Sequence, residues 1–536
     1  MYLDIVPNRN SPPAILLRES YREGHKVRKR TLANLSHLDR TRVEALRRAL
    51  RGEFDRLASG EPVCGRVFGL LYALKQIADH LGISRALGKR WMGKLALFLT
   101  LARVAHRGSR LSAVRWAKDH ALREVLGLED FDEDDLYAAL DDLAERQVGI
   151  ERQLYKDYVR RRREAPVLFL YDLTSSYLEG EKNELADFGY NRDNKRGKMQ
   201  MVVGLLTDGE GEPLAVRVFA GNTADPSTVG DQIEILKKHF GVHEVVFVGD
   251  GGLVKSSGKQ ALNGEGLRYI TALTNPQIRK LLKAGTLQMG LFEERICEVE
   301  ADGLRYILRK NEAEARKIHH RLEDKLGKLR SQVTARNEKV AQSSRCQPEA
   351  GLRQMQEWVK RHKLSSFVSL RLEERMLQVE IDEVAQEHAT LLAGCYVIET
   401  DVAKELLDAQ TAHDCYKDLA HLEQDWRTMK TGLLEIRPVF VRKESRTRGH
   451  VLVCMLALKI SREIQKRLTA VFGTTETDRY ALTLDDAFCA LNRLCLLNYP
   501  VPGQANLYIP VVPGADEHQC RILEALNVHF PKQLKM

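Results

Sequence analysis

The feature that most constrains this chain is a change of hydrophobic period at Pro166. From residue 63 to 150 apolar residues recur at helical spacing almost without a break, and the basic run Arg160–Arg163 closes that pattern just before the proline. Beyond it strand and helix patterns alternate. VLFLYDLTSSYLE is followed by MQMVVGLLTDGEGEPLAVRVFAGN, which reads as two strands joined at Gly209 to Gly211. A helix over Ser227–Phe240 then leads to the apolar strand EVVFVGD and, after another helix, to YITAL. Three strands in a meander followed by helix and parallel strand predict a mixed α/β sheet. With 536 residues, the chain has room for further units on both sides of it.

The flanks read differently. Residues 1 to about 60 predict a short strand pair (apolar Ala14–Leu17, basic Lys26–Arg30) and then a helix from Arg42 to Leu50. Within the helical stretch, IADHLGISRALGKR (Ile77–Arg90) has the helix, glycine turn and second helix of helix-turn-helix proteins, with Gly82 at the turn and Arg85, Lys89 and Arg90 beyond it. An ordinary amphipathic helical hairpin gives the same pattern. Residues 311 to 342 form a long charged helix, suited to a short coiled coil or a solvated face. Strand-like pieces return at Phe367–Leu370, Met376–Val379 and Cys395–Glu399, before a helix over Cys415–Leu434.

Charge narrows the function. The formal net charge is only +9, yet Met1–Lys118 holds 24 basic and 9 acidic residues, whereas Asp119–Ile150 holds 2 and 11. A concentrated basic excess attracts polyanions through counterion release and suits nucleic acid better than a small acidic metabolite, although a solvated basic surface has the same composition. The nine cysteines include no C-x-x-C pair, which argues against a disulfide framework or structural zinc. No signal core opens the sequence and no apolar stretch is long enough to span a bilayer, so we expect a cytoplasmic protein without membrane contact.

Two carboxylates stand where chemistry is plausible. Asp172 follows the apolar run Val167–Tyr171, and Asp250 follows Val245–Val248, so each ends a buried strand at one sheet edge, where oxygen ligands hold hard divalent cations. Either aspartate taken singly is also an ordinary turn former. In YKDLAHLEQDWRTMK, Tyr416, Leu419, Glu423 and Lys430 fall within an arc of about 60° on one helix face, with Arg427 alongside. An exposed face with a Glu423–Arg427 ion pair is the plainer account. Lys195, Arg196 and Lys198 make a basic loop, His319, His320 and His450 lack the spacing of a zinc site, and Thr174 stands where an aspartyl-phosphate motif needs a second Asp.

Together these residues resemble the DDE transposases of bacterial insertion sequences, in the branch whose acidic helix carries Tyr-x2-Arg-x3-Glu-x6-Lys. The likeness runs through YDLTSSYLEG, QMVVGLLTDGEGEPLAVRVFAGNTADPST, VFVGDGGL, AGCYVIETD, Tyr416/Glu423/Lys430 and RPVFVRKESRTRGHVLVCMLAL. Leu419 replaces the motif's arginine; Arg427 or Arg437 could supply that DNA contact.

The resemblance implies an α/β chain with an RNase H-like mixed sheet split by an α+β insertion domain, between helical N-terminal and C-terminal regions. The boundaries expected are 1–160 for a mainly helical DNA-binding region, 161–285 and 406–460 for the two parts of the core, 286–405 for the insertion and 461–536 for a helical tail. The resemblance further implies Asp172, Asp250 and Glu423 as ligands of two Mg²⁺ ions, with Mn²⁺ substituting, and DNA contacts by Tyr416 and Lys430; Arg427 or Arg437 stands for the motif arginine or is an ion-pair partner, and Lys198 of the basic loop is a phosphate contact or part of a solvated turn. The expected partners are double-stranded DNA with terminal inverted repeats, target DNA and a second copy of the chain on DNA, in the bacterial cytoplasm at the nucleoid. An inactive DNA-binding descendant, or a nuclease without strand transfer, would share the fold.

Overall fold

The structure, a computed structural model, describes residues 1–8, 12–51, 63–190, 192–193, 195, 197–242, 245–343, 345–430, 434–437, 440–474, 481–501 and 508–531. They form two compact units, one of Met1–Leu143 with Leu456–Met536 and one of Ala144–Met455.

In the first unit, β1 (Tyr2–Val6), β2 (Ala14–Glu23) and β3 (Lys26–Asn34) form an antiparallel sheet, so the expected strand pair is a triplet. The helix Arg40–Leu50 follows; Asp39 caps its start and Arg47 and Arg48 occupy its last turn, as the helix dipole favours. A further strand, β4 (Val63–Val67), pairs antiparallel with Cys495–Pro500, which pairs with Tyr508–Val511. The tail expected as helical therefore contains two strands: segments distant in sequence satisfy each other's backbone groups there, which local periodicity does not reveal.

The Ile77–Arg90 segment turns at Gly82 (φ 79°), where glycine supplies the left-handed backbone without steric cost. The helix beyond it is only Ile83–Leu87, with Ile83 and Leu87 buried. At about 1.5 Å per residue such a helix is too short to lie along a DNA groove as a recognition helix.

The second unit is built on eight strands. β5 (Leu168–Tyr177), β6 (Gln200–Asp208) and β7 (Pro213–Ala220) make the antiparallel meander, while β8 (Val246–Gly249) and β9 (Arg268–Ala272) add in parallel beyond β5. β10 (Cys297–Ala301) and β11 (Leu304–Lys310) form a hairpin, and β14 (Cys395–Thr400) joins β11 to β9, giving the order β10-β11-β14-β9-β8-β5-β6-β7. Three strands within the expected insertion span of 286–405 thus belong to the main sheet.

What leaves the sheet between β11 and β14 is narrower: helices Glu312–Gln342 and Pro348–Arg361, hairpin β12 (Val368–Glu373) with β13 (Met376–Ile381), and helix Glu383–Thr390. It has its own core of Leu326, Leu329, Val333, Met355, Val359 and Leu377. The long charged helix therefore packs on its own neighbours.

Strand alternation sorts the main sheet's faces. Phe169, Tyr171 and Leu173 join Val202, Leu206, Phe247 and Tyr269 in one core. Leu170 joins Val248, Ile270, Ile307 and Ile398 in the other, against Ala412 and Leu422 from two short helices. Asp172 shares the parity of Leu170, so its side chain belongs to the face those helices cover.

Candidate active site

β5 and β8 run parallel with Tyr171 opposite Gly249, which brings Asp172 and Asp250 to the same level just past the paired ends. Asp250 opens a tight loop: its Oδ1 accepts from the Gly251 N–H at 2.7 Å, and its carbonyl accepts from Leu253 and Val254. A Cβ at Gly251 would lie 2.0 Å from the Ala272 carbonyl oxygen, so only glycine lets this loop pass the end of β9.

The acidic helix differs from the sequence expectation. Instead of one helix over Cys415–Leu434 there are two, Ala409–Lys417 and Leu419–Lys430, joined at Asp418. The joint tightens to an i to i+3 bond, with the His421 N–H donating to the Asp418 carbonyl at 2.9 Å. Tyr416 therefore lies on the helix before the one bearing Glu423 and Lys430, and a single helical arc does not describe the four motif positions.

Tyr416 nonetheless lies within the field of the acids. Burial, followed by the charges of Asp250, Asp172 and Glu423, raises its phenol's pKa, and the hydroxyl is directed at Asp250. Three carboxylates from β5, the loop after β8 and the acidic helix thus act on one group. Asp172 is itself pushed up to about 6, mainly by burial and further by Asp250, against the N–H of Leu173, the indole of Trp426 and the charge of Arg192.

Trp426, which the sequence reading missed, donates its Nε1–H to Asp172 Oδ2 at 3.0 Å. It lies three residues beyond Glu423, so the turn after the motif glutamate is the one that packs against β5 and holds Asp172. A tryptophan one turn from the motif glutamate, among only four in the chain, was the available signal.

Asp193 and Arg192 were also missed. Lys430 Nζ bonds Asp193 Oδ1 at 2.7 Å, while Asp193 Oδ2 accepts from the Tyr177 N–H at 3.3 Å. The Arg192 N–H donates to Ser175 Oγ at 2.8 Å, and its guanidinium pairs with Asp225 at 2.5 Å. Strand, loop and helix are tied through these groups.

The other sequence-selected cations are also paired. Lys198 meets Glu179 at 3.0 Å; Arg437 meets Glu435 at 2.8 Å, donates to the Tyr177 hydroxyl and stacks 4.6 Å over its ring. Arg427 and Glu423 are exposed on the acidic helix, Lys195 lies 5.7 Å over the Tyr177 ring, and Arg196 lies outside the described residues. His450 is buried against the Glu435 carbonyl at 3.2 Å and Cys454, a packing role, and His320 lies 3.9 Å from Asp324 on the long helix.

Among the described residues, no group of three or more His, Cys, Asp or Glu side chains is drawn close enough to hold a metal ion. The donor chemistry at the sheet edge still fits a hard cation: Asp172 and Asp250 stand level just past the β5–β8 pairing, and burial with that like charge raises Asp172 to about 6.

Residues 163–460 match the family model of the transposase DDE domain, and residues 3–62 match the N-terminal domain of IS1634 family transposases. The chain belongs to the DDE transposases of insertion sequences. No curated protein matches this transposase. Among solved structures, the cryo-EM synaptic complex of piggyBac transposase with hairpin DNA aligns at 10% identity over 81% of each chain, with a TM-score of 0.35, a likeness too faint to carry detail across. Among the described residues, no helix is long and apolar enough to cross a membrane.

Proposed function

We propose that this transposase binds the ends of its element as duplex DNA, cleaves them by metal-dependent phosphodiester hydrolysis and joins the freed 3'-hydroxyls to target DNA. The observation that carries the proposal is the β5–β8 register that sets Asp172 level with Asp250, together with the Trp426 bond to Asp172 that packs the Glu423-bearing helix against that edge. The order β7-β6-β5-β8-β9, a meander continued by two parallel strands, supports an RNase H-like core, and the packed layer between β11 and β14 supports an insertion within it.

Asp172, Asp250 and Glu423 would hold two divalent ions, Mg²⁺ or Mn²⁺, which when bound activate the attacking oxygen and stabilise the leaving one. The chain's own part is positioning. Trp426 fixes one carboxylate oxygen of Asp172, and the Gly251 turn fixes Asp250. Tyr416 offers a hydroxyl among the acids, suited to a strand phosphate near the scissile bond. Lys430, Arg437 and Lys198 bring positive charge to the Tyr177 edge, and exchange of their carboxylate partners for phosphate would let them hold the strand; Arg427 adds charge from the exposed face of the acidic helix. Two copies acting on paired ends in the bacterial cytoplasm complete the reading.

The test is Mg²⁺-dependent cleavage of a labelled duplex carrying the element's terminal inverted repeat. Asp172→Ala, Asp250→Ala and Glu423→Ala should each lose about 10³-fold or more in rate, or about 4 kcal/mol of transition-state stabilisation, while binding the duplex normally. Cleavage at the wild-type rate by any one of the three would remove that residue from the site, and by all three would end the proposal.

A further inference from the structure

The first unit carries a surface that the active site does not use. β1 pairs with β2 only from Ala14 to Arg18, so from Glu19 outward β2 and β3 run as a two-stranded ribbon to a turn at Gly24 (φ 61°) and His25. From Ser20 to Leu32 every residue of the ribbon is exposed. A ribbon with no apolar face has no core of its own and is marginal in water, which is the expected state of an element that acts by meeting a partner.

Its register separates two faces. Glu19, Tyr21 and Glu23 stand opposite Arg30, Arg28 and Lys26, and ion pairs neutralise part of this face: Arg30–Glu19 at 2.5 Å and Arg28–Glu23 at 2.6 Å. The other face presents Ser20 and Arg22 opposite Lys29 and Val27, with no acidic residue. Among the described residues neither Arg22 nor Lys29 has an ion-pair partner, although Lys29 Nζ lies 5.8 Å over the Tyr2 ring of β1; Arg18, at the base, is held by Asp4 at 2.7 Å. Arg18–Thr31 as a whole carries six basic and two acidic residues.

We propose that this ribbon is the chain's duplex-DNA contact outside the active site, lying in the major groove with Arg22 and Lys29 on backbone phosphates. Five residue pairs at about 3.4 Å each match about five base-pair steps, and the major groove, about 12 Å wide, admits a two-stranded ribbon. Hydroxyls at Ser20 and Thr31 and the imidazole of His25 at the tip add polar groups for base edges or sugar. The ribbon takes the place that the helix-turn-helix pattern suggested for Ile77–Arg90, whose second helix is a single short turn. The inference rests on the DNA-acting reading above.

The experiment uses the full chain and a fluorescent duplex of mixed sequence, about 30 base pairs long, titrated across a salt series. Arg22→Ala/Lys29→Ala should weaken binding at least about tenfold at 0.1 M salt and lower the slope of log K against log salt by about 2, one for each phosphate no longer neutralised. Arg28→Ala/Arg30→Ala, on the ion-paired face, should do distinctly less. Methyl green, which fills the major groove, should compete with wild type, and a minor-groove ligand should not. Because the altered side chains are exposed, the thermal midpoint should stay within about 2 °C. An unchanged affinity and slope, equal losses from the two faces, or competition by the minor-groove ligand alone would overturn the assignment. If the ribbon variant binds and cuts an inverted-repeat duplex as wild type does, the ribbon fails while the transposase reading stands. If wild type does not cut but binds through the ribbon, the reverse holds.

Discussion

Positive charge is handled in opposite ways in two regions of this transposase. Around the sheet edge, Lys430, Lys198 and Arg437 are each matched to a carboxylate, and Arg192 to Asp225. On the ribbon, Arg22 and Lys29 stand on a solvated face without acidic neighbours. A matched cation has part of its charge neutralised and is held in one place; one without a carboxylate partner keeps its full attraction for phosphate. The difference teaches a division of labour in which chemistry demands fixed groups, whereas capture of a polyanion demands only net charge on a surface that fits.

The comparison breaks most readily at Gly251. Replacing it with valine forces the loop away from the Ala272 carbonyl and carries Asp250 with it. A displacement of about 1 Å at a reacting group costs on the order of 10²-fold, so Gly251→Val should lose at least that much cleavage while duplex binding holds. Gel assays of cleavage and of binding on the same preparation check this, and parallel losses in both would mean the two regions are not separable.

A smaller effect is expected at Trp426. Phenylalanine keeps an aromatic ring in the position but removes the indole N–H that holds Asp172 Oδ2. Groups that orient a ligand are typically worth about 10 to 100-fold in metal affinity or activity. Trp426→Phe should therefore raise the Mg²⁺ concentration for half-maximal cleavage by about tenfold, with affinity for duplex unchanged. An unaltered Mg²⁺ dependence would show that Asp172 is oriented without the indole.

How much of this was legible beforehand depended on distance along the chain. Asp250 could be placed because it closes an apolar run that ends a strand; Asp172 does not end one, since β5 runs on to Tyr177 paired with β6, and only the pairing with β8 stops at Tyr171. The meander was legible too, with Gly209 to Gly211 marking its turn. The break at Asp418 was not, because an aspartate in right-handed backbone is compatible with a continuing helix and only the tightened bond to His421 ends it. Trp426 and Asp172 are 254 residues apart and β4 pairs with Cys495–Pro500; no local pattern encodes either contact. The ribbon was half legible: its basic run and strand character were plain, but its exposure on both faces follows from where β1 stops pairing.

Next in size is the Lys430–Asp193 pair. Both side chains are largely buried, so the coupling should exceed that of a surface pair yet remain about 1 to 2 kcal/mol. A double-mutant cycle of Lys430→Met and Asp193→Asn, read as unfolding free energy without DNA, should return that coupling. The same cycle read as DNA affinity sharpens the contrast with the ribbon: Lys430→Met should weaken binding of the end duplex, whereas Asp193→Asn, which frees the ammonium for phosphate, should not. If Asp193→Asn weakens binding as much as Lys430→Met does, the pair serves only to hold the loop.

The smallest effect concerns thiols. Burial pushes Cys415 up to about 11, with Asp418 and Asp414 adding to the rise, whereas Cys64, Cys489 and Cys520 are exposed. The thiolate is the nucleophile, and a raised pKa makes it scarcer at a given pH: at pH 8 only about one Cys415 in 10³ is ionised, and the fraction rises tenfold per unit up to about pH 11. Iodoacetamide at pH 8 should therefore modify the exposed cysteines first, with Cys415 labelling growing about tenfold by pH 9. Asp418→Asn removes the larger of the two named charges and should speed Cys415 labelling a few-fold at fixed pH without altering the exposed sites. Mass spectrometry of the labelled peptides distinguishes these rates, and labelling of Cys415 as fast as Cys520 at pH 8 would mean that the helix bearing Tyr416 opens freely, contrary to the fixed placement that the active site requires.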